Sequence, residues 1–113
     1  MTGGKLMGWL YLILAGLFEI GWPLGMKLAQ TSEKHRVASI LFSLACLATS
    51  GWLLWLAQKT IPMGTAYAVW TGIGAVGAFV VGVIYFGDPQ SLLRWLGAVL
   101  IVAGVAMLKL GGG

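Results

Sequence analysis

Glu19 stands inside AGLFEIGWPLGM (residues 15–26), a stretch with no other charged residue. Taking a carboxylate out of water penalises its charged form, so a group in this position can hold a proton near neutral pH and exchange it for a cation. Its own segment offers nothing to neutralise it at that depth. Lys27 is eight positions further on, roughly 12 Å along a helix axis. The other two acidic residues, Glu33 and Asp88, fall in polar connections. Helical spacing places Ala15, Gly16, Trp22, Pro23 and Met26 on or beside the face of Glu19. Ala15 and Gly16 leave room for a ligand, or equally for a closely packed helix. Trp22 brings an indole N–H and a flat face within one turn of the carboxylate, suited to a hydrogen bond or to flanking a planar cation. Pro23, four residues after Glu19, removes the donor that would bond the Glu19 carbonyl, and a bend is expected there.

Further polar residues recur in other apolar stretches. Ser43 and Ser50 are seven apart and share a helix face, where a hydroxyl can orient a carboxylate or bond its own backbone. Tyr67, Trp70 and Thr71 form a polar-aromatic face in PMGTAYAVWTGIGAVG. Gly72, Gly74 and Gly77 follow, a density that makes a helix easy to bend and easy to approach. The GIGAVG segment satisfies the dinucleotide-loop spacing, but no strand precedes it and it lies inside an apolar run, so that reading fails. Gly97 and Gly104, seven apart near the C-terminus, form a small-residue stripe expected to be a dimer seam.

The elements that must carry these groups are membrane spans. Hydrophobic residues make up 59% of the 113 and charged residues only 9%, against about 25% charged in soluble proteins. Crossing the hydrocarbon takes about 20 apolar residues, and four stretches qualify: about 6–29, 37–57, 63–86 and 91–110. The links QTSEKHR, QKTIP and GDPQ are short, which favours antiparallel neighbours in one compact all-α bundle. The expected organisation is a single four-helix domain over residues 1–113. The basic start MTGGK is followed by an apolar run too long for a cleavable signal, so the first span is expected to be retained.

The net charge of +4 does not indicate a nucleic-acid partner. Its basic residues are scattered at span ends, as interfacial anchors are, and form no stripe with aromatics. Lys5, Lys59 and Lys109 share one side of the bundle, and Lys27, Lys34, Arg36 and Arg94 the other. Three against four gives the positive-inside rule little to act on, so both orientations are expected to insert. Four helices alone hardly enclose a solvated path, whereas two oppositely oriented copies form the pseudo-symmetric arrangement of an inverted-repeat transporter. Catalysis and metal binding have little support. His35 lies in a loop with no second histidine, Cys46 is the only cysteine, and no nucleophile–base pair or ligand cluster is apparent. No cofactor is expected.

Taken together, the intramembrane glutamate in FEIGW and the segment IPMGTAYAVWTGIGAVG resemble the small multidrug resistance family of bacterial transporters, and within it the guanidinium-exporting subtype. The resemblance covers nearly the whole chain. It implies an antiparallel homodimer in the inner membrane exchanging protons for guanidinium. Glu19 would be the shared proton and substrate site, Trp22, Ser50, Tyr67 and Trp70 the network around it, and Gly72 to Gly74 a hinge. The sequence departs from the subtype at Pro23, where many members carry alanine, and in its GGG tail. Guanidinium chemistry agrees: the cation is planar, and its paired N–H donors suit a carboxylate. Two alternatives stay open. One is a broader exporter of quaternary ammonium or lipophilic cations, and the other is a non-transporting membrane subunit.

Overall fold

The computed structural model describes residues 2–112. Met1 and Gly113, the ends of the expected domain and the last residue of the GGG tail, lie outside the described residues. Four helices follow one another: α1 Thr2–Thr31, α2 Arg36–Ala57, α3 Met63–Phe86 and α4 Leu92–Leu110. All four are long and apolar enough to cross a membrane, with mean hydropathy from 1.4 to 1.9. Apolar length alone places the first span at about residue 6, whereas α1 begins at Thr2 and carries Lys5, because helical hydrogen bonding continues beyond the apolar run. Ser91, expected inside the fourth span, is instead its N-cap, and its hydroxyl accepts the Arg94 amide at 3.2 Å. Gly87 closes α3 in the left-handed conformation with φ 66°, which suits a residue without a Cβ. The Asp88 amide then donates back to the Gly82 carbonyl at 3.0 Å.

α1 is the hub and packs against α2 on one side and α3 on the other. The buried residues of α2 are Ser43, Cys46, Ser50, Leu53 and Ala57, an alternating three-four spacing that forms one seam. Two glycines of α1 let this seam approach. A Cβ at Gly21 would stand 2.6 Å from Cys46 Sγ, and one at Gly25 would stand 2.8 Å from Ser43 Cβ. Toward α3, a Cβ at Gly16 would meet Ile73 at 2.7 Å. Small residues at such crossings replace the hydrophobic drive that lipid does not supply.

The core occupies one end of the bundle. Trp9, Leu12, Ala57, Ile61, Ala66 and Val69 are buried together, with Tyr11, Leu54, Trp70, Ile73 and Val105 against them. Ile61, in the short α2–α3 connection, packs over Gly8. At the same end Lys109 of α4 lies over the Trp9 ring, 5.1 Å from its centroid. α4 is otherwise the least enclosed helix, with Ala98 as its buried residue. Phe79 meets Trp95 edge-on at 4.9 Å, which ties α4 to α3.

Candidate functional site

Glu19 is half-buried at mid-helix on α1. One turn later Trp22 turns its indole back, and Nε1 donates to Glu19 Oε1 at 2.8 Å. The carboxylate stem rests on α3 at Gly74, where a Cβ would stand 2.6 Å from Glu19 Cγ. A glycine is therefore required for the carboxylate to lie as it does. The carboxylate has no second side-chain partner among the described residues. With one indole donor on Oε1, most of its acceptor capacity stays available to a ligand.

A second cluster lies one turn back along α1. Ser50 is fully buried, and its hydroxyl donates to the Ala15 carbonyl at 2.6 Å and accepts Trp70 Nε1 at 2.8 Å. Its proton is committed to the α1 backbone, so Ser50 anchors α1 to α2 and α3 without touching the carboxylate itself. Tyr67 extends the cluster outward, its exposed ring tilted against Trp70 at 5.6 Å. Ser43 donates to the Trp22 carbonyl at 2.6 Å, fixing the backbone from which the indole projects. This contact was not foreseen, since spacing within one helix says nothing about which carbonyl of another it will meet. Gly74 as the bed of Glu19 was missed for the same reason.

Other residues singled out in the sequence fall elsewhere. Thr71 bonds back to the Tyr67 carbonyl at 2.8 Å, the usual habit of a membrane threonine. Gly72 faces α4, where a Cβ would meet Val105 at 2.8 Å. α3 continues as helix through Gly72 and Gly74, as α1 does through Pro23. Gly97 and Gly104 have nothing of their own chain within 4 Å of a Cβ and stand open on α4. Pro23 borders a slot between α1 and α3. Among the described residues, no group of three or more metal-ligating side chains exists.

A family profile described as Small Multidrug Resistance protein matches residues 7–101, a range that holds Glu19, Trp22, Ser43, Ser50, Tyr67, Trp70 and Gly74. The chain belongs to the small multidrug resistance family. It is accordingly a multi-pass inner-membrane protein. Curated relatives in this family include proteins named guanidinium exporter from Yersinia pseudotuberculosis, Salmonella typhimurium and Citrobacter freundii. Each is 44% identical over 104 residues, spanning 92% of this chain and 97–98% of the relative. These relatives are named as exporters, not as enzymes.

Proposed function

We propose that this small multidrug resistance protein exports guanidinium in exchange for protons, as an antiparallel homodimer of a single four-helix domain. The observation that carries the reading is the Glu19–Trp22 pair: a mid-span carboxylate oriented by one indole donor and otherwise open. The exporter names of relatives covering 92% of the chain support the substrate class. Proton and cation compete for Glu19. Guanidinium offers two parallel N–H donors, which a carboxylate accepts in a bidentate pair, while the indole face flanks a planar ion. Ser50, held by Trp70, fixes α1 at the right depth, and Tyr67 extends this wall outward from Trp70. Gly16, Pro23, Ser43 and Thr71 shape the surroundings, and Gly72 and Gly74 let α3 flex between the two access states.

The homodimer rests on two features. The balance of three basic residues against four leaves orientation nearly undecided. α4 is also open over Gly97 and Gly104, a seam for the partner's α4. Flux into proteoliposomes tests the function. An imposed proton gradient is expected to drive guanidinium uphill and tetraalkylammonium ions far less. Equal transport of both would replace this reading with the broader cation exporter, and transport of neither would leave the non-transporting subunit.

A further inference from the structure

Where α1 and α3 separate near their C-termini, a slot of about 180 Å³ lies between them and opens to the outside of the bundle. Its walls are apolar, with Ile20, Pro23 and Leu24 on one side and Ala78, Val81 and Phe86 on the other. Lys27 and Asp88 border it, both exposed and of opposite charge. Among the described residues, neither charged group has a side-chain hydrogen bond or ion pair. Asp88 is held by its own backbone turn, with Oδ2 against Gly82 at a place where any Cβ would collide. α1 and α3 run in the same direction, so Lys27, near the end of α1, and Asp88, just past the end of α3, share one membrane face. Tyr85, whose ring lies 5.7 Å from that of the slot residue Phe86, is exposed near the end of the span, a position where aromatic residues collect at the headgroup level.

An apolar slot with a cation and an anion at its mouth, set at the membrane boundary, matches one kind of molecule. We infer that the slot binds a phospholipid with a phosphoethanolamine headgroup, its acyl chain between α1 and α3, its phosphate on Lys27 and its primary ammonium on Asp88. The ammonium matters because it carries N–H donors for the Asp88 carboxylate, which a choline headgroup lacks. An anionic glycerol headgroup would engage Lys27 alone and meet repulsion from Asp88.

The test uses the purified full chain in detergent, titrated with phosphatidylethanolamine, phosphatidylcholine or phosphatidylglycerol. Lipid retention is read by native mass spectrometry and stabilisation by thermal melting. Phosphatidylethanolamine is expected to bind several-fold tighter than phosphatidylcholine. Asp88→Asn is expected to erase that difference. Lys27→Met is expected to weaken both lipids, and Ala78→Phe, which fills the slot, to abolish retention of either. Circular dichroism and size exclusion establish that each variant is folded. Equal binding of the ethanolamine and choline lipids by the unaltered protein would overturn the assignment. So would a preference that survives Asp88→Asn, or tightest binding by phosphatidylglycerol.

Discussion

The two ends of α1 meet different surroundings although both are apolar. Toward its N-terminus, Leu12 and Ala15 have no exposed surface, Trp9 lies under Lys109, and Ser50 ties the Ala15 carbonyl to Trp70. Toward its C-terminus, Pro23, Leu24 and Lys27 border empty space, and α3 stands away from them. Hydrophobicity does not separate these ends. The difference comes from the short α2–α3 connection, which seats Ile61 over Gly8, and from a buried hydroxyl with partners on two helices. Within a bilayer, close fit and paired polar groups order a bundle, because lipid solvates apolar surface as well as protein does. Glu19 lies one turn beyond Ala15, where the clamped end gives way to the open one. A carboxylate there is held at a defined depth, while beyond it α1 stays packed on α2 through Gly21, Gly25 and Ser43 and stands open only toward α3.

The largest expected effect comes from the group at that boundary. Glu19→Gln keeps the volume and loses the exchangeable proton, so coupled guanidinium transport in proteoliposomes should fall to background with the protein still folded. Uphill transport by the Gln variant would remove Glu19 from the mechanism.

Next is the contrast in packing. Leu12→Ala in the clamped end should cost about 2–5 kcal/mol, the range for a fully buried leucine, whereas Leu24→Ala at the slot should cost under about 1 kcal/mol, since it enlarges a space that already exists. Reversible unfolding in mixed micelles measures both. Equal losses would mean that the two ends are equally ordered.

A smaller effect is expected at Trp22. Trp22→Gly deletes the indole donor to Glu19 and opens volume beside it. Guanidinium should lose about 1–3 kcal/mol of orientation, as for a charge-assisted hydrogen bond left unmade, while bulky alkylated ammonium ions lose little. The guanidinium-to-tetraalkylammonium transport ratio should then drop on the order of tenfold. Pro23→Ala serves as a control, because it alters the open end without touching the indole. An unchanged ratio in Trp22→Gly would make Trp22 a packing residue only.

What could be read from the sequence follows from distance along the chain. The four apolar runs announced four helices, and the three-residue spacing of Glu19 and Trp22 allowed the hydrogen bond found between them. Contacts between helices were not legible. The seven-residue spacing of Ser43 and Ser50 gave a shared face, but not that one would hold the Trp22 carbonyl and the other the Ala15 carbonyl. The glycines of α3 could be read as points of flexure. In the structure Gly74 supports the Glu19 stem and Gly72 admits Val105, uses that depend on which side chain arrives from another helix. Lys27 and Asp88 are 61 positions apart, one read as a span-end anchor and the other as a loop acid. Only the parallel course of α1 and α3 brings them to one slot.

The chain's single cysteine has a practical consequence of its own. Cys46 is buried against Gly21 in the α1–α2 seam, at the floor of a cleft lined by Leu14, Leu17, Phe18 and Phe42, so its access to a thiol reagent depends on how these side chains cover it. The unaltered protein thus carries its own reporter: the rate of Cys46 alkylation in membranes, compared with and without a transported cation, turns any rearrangement around this cleft into a kinetic signal, with no label engineered into the chain.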